Sequence, residues 1–192
     1  MRPAVFFLAF LLVPFVLRAE SWTGAADVKF KGYSTLHDFE GTVNQVPLSV
    51  TVDQGKGERV VSATSDVDVT RMSTKEADRD KGMWKMFDAA KHKLINVQVN
   101  NAKESALRPH REQGREVPGS MQVVLTIVGT RGTVSGAVTN LSEADDKVSF
   151  DLAFPVSLKV FALKPPSAML GVVSVKDTVD VNAHITLKRK GR

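Results

Sequence analysis

Apolar and polar residues alternate with a period of two along most of the chain after residue 27. This period predicts β-strands with one buried face, because successive side chains of a strand point to opposite sides of the sheet. Turn residues such as Gly, Asn and Asp separate the alternating segments, which favours short antiparallel connections. We predict strands at residues 28–34, 37–43, 48–52, 63–69, 95–99, 121–127, 133–140, 148–160 and 179–187.

One long segment, residues 67–99, interrupts the alternation. Ser73 and Glu76 have the spacing of a capping box, in which a hydroxyl at the helix N-cap is followed by a carboxylate three residues later. Four apolar residues then recur at the spacing of one helical face, namely Met83, Met86, Phe87 and Ala90. The segment therefore predicts a short amphipathic helix, which either closes one end of a β core or covers an apolar cavity.

A long antiparallel sheet with one apolar face tends to close on itself, because closure removes its free edges. The cleanest alternation runs over residues 148–160, where Pro155 predicts a bend, a bulge or an unpaired edge. We expect the polar segment 102–118 to be an exposed loop between neighbouring strands. The sequence thus predicts an all-β fold, an eight-stranded antiparallel barrel with a short helical insertion. A barrel of about eight strands can be filled by side chains or can hold one small ligand.

The first nineteen residues have the pattern of a secretory signal peptide. A positively charged start precedes the almost wholly apolar segment 4–17, and Ala19 offers a small residue for cleavage. The apolar segment is short and contains Pro14, which disfavours a membrane span. We therefore expect a signal peptide at 1–19 and one barrel domain at 20–192, in a periplasmic or secreted protein without a membrane span after cleavage. An uncleaved anchor is the alternative.

Composition and charge narrow the classes of function. The 192 residues include no cysteine, so packing rather than disulfides must stabilise the fold, and a thiolate metal site is excluded. The net charge is +5, and the chain has no basic patch interleaved with aromatics and no phosphate-binding loop, so we do not expect nucleic acid as a partner. The basic tail at residues 188–192 predicts a solvated terminus, with contact to anionic lipid heads as the alternative.

Few residues suggest catalysis or metal binding. The four histidines, His37, His92, His110 and His184, do not show the spacings of a zinc site, so we expect no metal. Ser34, His37 and Asp38 have the residue types of a nucleophile, a base and an acid. However, residues 37 and 38 would point to opposite faces of a strand, which disfavours a triad. We expect Asp78, Arg79 and Asp80 to form an exposed ion-pair cluster at the start of the helix.

Three segments resemble the YceI-like family in their order and spacing: Ser34–Gly41, then Met72–Thr74 with Arg79, Asp80, Met83 and Phe87, and finally Phe161–Ser167 with Leu170 and Gly171. The resemblance covers nearly the whole chain after the leader. It implies an exported bacterial protein with a lipocalin-like, eight-stranded antiparallel barrel. Such proteins bind a long apolar chain, typically a polyisoprenoid, in an elongated internal cavity, and they are often dimeric.

The inward parity of the strands, the helix and the resemblance together predict the cavity wall: Phe39, Val43, Met83, Met86, Phe87, Val97, Leu125, Phe150, Leu152, Phe154 and Phe161. Burial of each methylene of an apolar tail in such a tunnel contributes about 0.8 kcal/mol. A polar head then needs only a few donors at the mouth of the cavity. We predict that His37, Arg79 and Lys164 supply them.

Three hypotheses for the function follow. The first is a non-catalytic protein that binds a long-chain amphiphile as a carrier, store or sensor in the periplasm; the amphiphile is a polyisoprenoid, an isoprenoid quinone or a fatty-acid derivative. The second is a secreted interaction module whose barrel core is filled. The third is an enzyme that acts on a hydrophobic substrate through His37 and Asp38. We favour the first, with no cofactor besides a bound isoprenoid-type lipid, and with a homodimer as an expected assembly.

Overall fold

The computed structural model describes residues 19–165 and 175–191. The strands in that part of the chain are β1 (Glu20–Ser34), β2 (Phe39–Gln54), β3 (Arg59–Asp68), β4 (Leu94–Lys103), β5 (His110–Glu112), β6 (Arg115–Val117), β7 (Gly119–Ile127), β8 (Thr130–Glu143), β9 (Lys147–Ser157) and β10 (Val175–Arg189). The α-helices are α1 (Ala77–Met86) and α2 (Glu104–Leu107), and 3-10 helices lie at Val69–Arg71 and Lys159–Phe161. The predicted signal peptide and the segment 166–174 lie outside the described residues.

Eight strands form a closed barrel in the order β1-β10-β9-β8-β7-β4-β3-β2. Every pair of neighbours is antiparallel, and the closing pair β1–β10 runs from Trp22 opposite Arg189 to Ser34 opposite Val175. The predicted all-β fold, with an eight-stranded antiparallel barrel and a short helical insertion, is therefore confirmed. The small hairpin β5–β6 stands outside the barrel.

Strand β2 corrects the prediction of two separate strands at 37–43 and 48–52. Val43 and Val46 are both buried although they are three residues apart, and Gln45 between them has a φ of 53°. The register of β1 against β2 shifts at the same level, which identifies a β-bulge. Because the bulge adds one residue, the alternation changes phase while the strand continues. The side chain and backbone of Gln45 both donate to Asp27 and fix this position.

The polar segment 102–118 is not the plain loop that we predicted. It contains α2 and the β5–β6 hairpin, and α2 packs against β7, where a Cβ on Gly119 would lie 2.2 Å from the backbone oxygen of Leu107. The expectation of an unpaired edge at Pro155 is confirmed on the β8 side, where the pairing of β9 ends at Ala153, whereas on its other side Pro155 lies opposite Asp180 of β10.

The up-and-down order of the strands gives the barrel two distinct ends. One end, here called the α1 end, carries the β1–β2, β7–β8 and β9–β10 connections together with the segment 69–93, which includes α1. The opposite end, the α2 end, carries the β2–β3 and β8–β9 turns and the segment 104–118 with α2. The buried residues of the barrel strands lie between these two ends.

Candidate ligand-binding cavity

Within the described residues, the barrel contains a cavity of about 730 Å³ whose wall includes residues from both ends. All eight barrel strands and α1 contribute to its wall, and the wall residues are mostly Val, Leu, Ile, Phe, Met and Ala. This volume falls within the range of about 300–1,000 Å³ that is usual for small-molecule sites. An apolar space of this kind can hold a hydrocarbon chain, but most of its wall offers no group that could carry out a reaction.

The structure places every predicted wall residue except Phe161 on the cavity surface. Phe161 is fully buried, but its ring packs against Gly132 within the hydrophobic core. The reason is that β9 ends at Ser157 and the chain turns into a 3-10 helix, so the alternation of the strand no longer sets the direction of this side chain. Direct contact of the wall residues with a ligand stays a prediction.

Two phenyl rings lie flat against the wall close to the α1 end. Phe30 stands opposite Gly41 and Phe39 stands opposite Gly32 in the β1–β2 register. A Cβ on Gly41 would lie 2.1 Å from the Phe30 ring, and a Cβ on Gly32 would lie 2.3 Å from the Phe39 ring. The two glycines therefore let both rings pack against the backbone, an arrangement that also pins strand register.

Two of the three residues predicted for the polar mouth lie on the cavity wall. His37 is in the β1–β2 turn and Arg79 is in α1, so both are at the α1 end. The Arg79 guanidinium lies 5.1 Å from the centre of the Phe39 ring, a cation–π contact that orients it. Lys164 is exposed at the same end but does not line the cavity.

A buried carboxylate holds α1 over this end of the barrel. Asp80 is 8% exposed and accepts hydrogen bonds from Ser73 Oγ (2.9 Å), Thr74 N (2.7 Å) and Thr74 Oγ1 (2.6 Å). Ser73 is itself bonded to the Thr42 backbone of β2 in both directions. Asp80 therefore links α1 to the barrel wall, while Met83 and Phe87 face the cavity.

This arrangement corrects two expectations about the start of the helix. The capping-box prediction was wrong, because α1 begins after Glu76 and no side chain caps it. Asp80 is buried rather than part of an exposed cluster. Burial by itself would raise the pKa of the Asp80 carboxyl, but the hydrogen bonds from Thr74 and Ser73, together with the charge of Arg79, hold this pKa below its usual value.

A chain of alternating charges closes the α2 end. It runs through six residues, which we call the α2-end ion-pair network: Arg189, Glu20, Arg59, Glu104, Arg108 and Glu143. Its five successive N–O distances are 3.5, 3.2, 3.1, 2.8 and 2.7 Å. The network links α2 to four strands, β1, β3, β8 and β10, and all of its members except Glu20 line the cavity.

Arg108 is the best-connected member of this network. Its two terminal nitrogens donate to both carboxylate oxygens of Glu143, at 2.7 and 3.0 Å, and Nη2 also donates to Glu104 at 2.8 Å. These bonds, first to Glu143 and then to Glu104, raise the pKa of the guanidinium above its usual value. Such a bidentate pair has geometric specificity that single surface ion pairs lack.

Sequence reasoning did not find the α2-end ion-pair network. Glu104 and Arg108 have the i, i+4 spacing of a helical ion pair, which was a usable signal. Their other partners, Arg59 and Glu143, come from distant strands and become neighbours only when the barrel closes. No local pattern in the sequence could have paired them.

The Ser34, His37 and Asp38 group forms a turn. Ser34 Oγ donates to the backbone oxygen of His37 at 2.6 Å and accepts from its backbone N–H at 3.2 Å. Asp38 pairs with Lys31 at 3.4 Å. These contacts satisfy the backbone of the β1–β2 turn, as hydroxyl side chains commonly do.

Two features of residues 19–165 and 175–191 bear on metal binding and on membrane spanning. No cluster of three or more His, Cys, Asp or Glu in this part of the chain could hold a metal ion. Within the same residues, none of the helices has the length and apolar character needed to cross a membrane.

The fold and the cavity together define a closed antiparallel β-barrel with an apolar interior. The profile of the YceI-like domain family matches residues 22–187, and the chain therefore belongs to this family. A comparison with curated proteins gave no match.

Two solved structures are similar to this one in fold. BcnA of Burkholderia cenocepacia superposes with a TM-score of 0.60 at 17% identity, covering 84% of this chain and 95% of BcnA. A polyisoprenoid binding domain from Saccharophagus degradans superposes with a TM-score of 0.62 at 14% identity, covering 88% of this chain and 98% of that domain. At such identities the likeness shows the fold alone.

Proposed function

We propose that this protein binds a long-chain amphiphile in the barrel cavity and acts, without catalysis, as a carrier, store or sensor in the periplasm. The amphiphile is a polyisoprenoid, an isoprenoid quinone or a fatty-acid derivative. The observation that carries the proposal is the cavity of about 730 Å³ with its apolar wall. Since each buried methylene contributes about 0.8 kcal/mol, a chain of ten carbons already provides a large driving force for binding.

The polar head of the amphiphile belongs at the α1 end in this proposal. His37 and Arg79 lie on the wall there, and both can donate to an oxygen atom. Arg79 keeps this ability while it stacks on Phe39, because a guanidinium donates in its plane and stacks through its face. Lys164 is close enough in sequence to the wall residues Leu163 and Pro165 to assist from the rim.

Family membership supports the class of ligand. The Saccharophagus degradans domain of the same fold is described as polyisoprenoid binding, and its chain is covered almost completely in the superposition. The leader pattern at residues 1–19 supports export, and hence the periplasmic location in the proposal. A homodimer stays a prediction.

The two other hypotheses have less support. An interaction module with a filled core does not need a cavity, whereas the described side chains leave one of about 730 Å³. An enzyme acting through His37 and Asp38 needs these side chains to act together, but Asp38 is paired with Lys31 and Ser34 bonds to the His37 backbone. Binding accounts for the same residues more simply.

A pair of matched variants tests the proposal. Ala183 lines the cavity, whereas Ala153 on the neighbouring strand lies off the cavity wall. Ala183→Phe adds a ring to the interior, and we expect it to weaken the binding of a fluorescent long-chain fatty acid at least about tenfold. Ala153→Phe adds the same ring to the outside and should bind like the unmodified protein.

Fluorescence titration measures the affinity of both variants, and circular dichroism with thermal unfolding verifies that each is folded. Equal affinity of the folded Ala183→Phe variant and the unmodified protein would place the ligand outside the barrel and contradict the proposal. A loss of affinity in both variants would show that the ring acts through the fold rather than through the cavity.

A further inference from the structure

We propose that the α1 end docks onto an anionic lipid bilayer, so that the cavity opens towards the membrane. The purpose of docking would be the exchange of an amphiphile, and this purpose rests on the proposed function. The docking surface itself consists of other residues. It consists of three exposed apolar side chains and the basic residues around them. The partner is a bilayer surface that carries anionic head groups.

The exposed apolar residues are concentrated at one end of the molecule. Among the described residues, the large hydrophobic side chains that are exposed are Leu36 (66%), Val160 (57%) and Leu94 (45%). Leu36 lies in the β1–β2 turn, Val160 in the β9–β10 connection and Leu94 at the start of β4, so all three are at the α1 end. The described part of the α2 end has no such residue.

These side chains are distributed around the mouth that we propose for the cavity at the α1 end. Leu36 and Val160 come from neighbouring connections, because β1 pairs with β10, whereas β4 lies three strands from β1 on the other side of the barrel. The segments that carry Leu36 and Val160 reach the cavity wall. His37, directly after Leu36, and Leu163, three residues after Val160, both line the cavity. A surface that touches all three apolar side chains therefore covers this mouth.

The charge of the two ends differs in sign. The connections described at the α1 end contain nine Lys and Arg against five Asp and Glu: residues 35–38, 69–93, 128–129 and 158–165. Those at the α2 end, together with Lys190 after β10, contain five Lys and Arg against six Asp and Glu: residues 55–58, 104–118, 144–146 and 190. The α1 end is thus the one that an anionic surface attracts, and Lys159 lies directly beside Val160.

A bilayer fits this surface better than a folded partner does. The three apolar side chains come from three separate segments, and Lys93 and Lys159 directly precede Leu94 and Val160, whereas a protein interface usually has a contiguous apolar core. The α2-end ion-pair network closes the opposite end of the cavity with charged groups that a membrane interior would not accept. A ligand that leaves through the α1 end would pass directly into lipid.

Co-sedimentation with vesicles tests the docking. The purified protein is mixed with vesicles of phosphatidylcholine alone, or of phosphatidylcholine with phosphatidylglycerol, and the bound fraction is measured. We expect binding to the anionic vesicles only. The double variant Leu36→Ser with Val160→Ser should bind about tenfold less, because two aliphatic side chains no longer enter the lipid.

Two single-charge variants provide a matched control. Lys159→Gln removes a positive charge at the α1 end, and Lys190→Gln removes one at the α2 end. We expect the first to weaken vesicle binding about threefold, while the second leaves it unchanged. Equal losses in both would show that net charge rather than the α1 end governs binding, and would overturn the proposal.

The outcomes separate docking from the proposed function. Neither Leu36 nor Val160 lines the cavity, so the double variant should keep its affinity for a fluorescent fatty acid without vesicles. A protein that binds the fatty acid but not the anionic vesicles would refute docking and leave the proposed function standing. A protein that binds vesicles through Leu36 and Val160 but takes up no amphiphile would refute the proposed function alone.

Discussion

The two ends of the barrel are closed in different ways. At the α1 end, one buried carboxylate, Asp80, fixes a ten-residue helix to the wall, and the apolar side chains of Met83 and Phe87 face the cavity beneath it. At the α2 end, a helix of four residues is held by the α2-end ion-pair network, which reaches four strands. The α1 end exposes apolar residues, whereas the described α2 end does not.

The two closures differ in what it would cost to open them. Release of α1 breaks the hydrogen bonds of one carboxylate and exposes apolar surface, and a lipid phase can compensate for that exposure. Opening of the α2 end separates several ion pairs, including those of the buried Glu20 Oε2 with Arg189 and of the buried Glu104 Oε2 with Arg59. Lipid cannot compensate for charges that lose their partners. We therefore predict that a ligand exchanges through the α1 end.

The largest effect is expected when Asp80 is replaced. Asp80→Ala leaves the Thr74 N–H and two hydroxyls without their acceptor in a buried place, and we expect the free energy of unfolding to fall by about 3 kcal/mol. Because α1 loses its link to the wall, a bound fluorescent fatty acid should also dissociate faster. Urea unfolding and stopped-flow dissociation measure the two effects. Unchanged dissociation in the folded variant would remove α1 from the exchange route.

Replacement of Arg108 should have a smaller effect of a different kind. Arg108→Ala removes the bidentate bond to Glu143 and the bond to Glu104, but these groups are partly exposed, so we expect a loss of about 1 kcal/mol. Dissociation of the fatty acid should keep its rate, because the α2 end is not the exchange route. A faster rate in this variant than in Asp80→Ala would reverse the assignment of the two ends.

Acid is expected to destabilise the α1 end by protonating the Asp80 carboxylate. The pKa of this carboxyl is lower in the folded protein than its ordinary value of 3.8. The ionised Asp80 carboxylate therefore contributes fully to stability above the pKa that it has in the unfolded chain. This contribution is lost as the pH falls through the pKa that it has in the folded protein. At pH 7 we expect the free energy of unfolding of the unmodified protein to be about 1 kcal/mol higher than that of the Asp80→Asn variant.

That difference between the protein and Asp80→Asn should shrink below about pH 4. Thermal unfolding of both proteins between pH 7 and pH 2 measures it. Lys81→Gln, an exposed change on the same helix, is the control and should follow the unmodified protein. A difference that stays constant down to pH 2 would show that the charge of Asp80 does not contribute.

An increase in salt concentration is expected to have the smallest effect on the free energy of unfolding. It should act mainly on the ion pairs of the α2 end. An increase from 0.05 to 1 M NaCl screens partly exposed ion pairs, and we expect a loss of less than about 1 kcal/mol in unfolding free energy. Arg108→Ala should lose less than the unmodified protein, because its network is already broken. An identical salt response of the two proteins in urea titrations would mean that the α2-end ion-pair network adds no measurable stability.

The fold could be predicted from the sequence because alternating apolar and polar residues directly indicate strands with one buried face, as in a barrel. It divided β2 in two because the bulge at Gln45 uses an ordinary residue rather than glycine, so no local signal marked it. Phe161 was assigned to the cavity wall for a similar reason. The strand pattern was extended into residues that form a 3-10 helix.

Local sequence patterns could not predict the groups that hold α1 and α2 to the barrel. Asp80 looks like one member of an exposed charged run, and it becomes buried only because Ser73 pairs with Thr42 of a distant strand. The partners Arg59 and Glu143 likewise meet α2 only in the closed barrel. Periodicity shows which face is buried, whereas these contacts depend on which strands become neighbours.

The most direct test of the account is native mass spectrometry of the purified protein, followed by solvent extraction and identification of any bound molecule. We predict a long-chain amphiphile at one molecule per chain, and its loss in the folded Ala183→Phe variant but not in Ala153→Phe. A mass without ligand, which persists after incubation with polyprenyl lipids, isoprenoid quinones and fatty acids, would contradict the central claim that the cavity is a binding site.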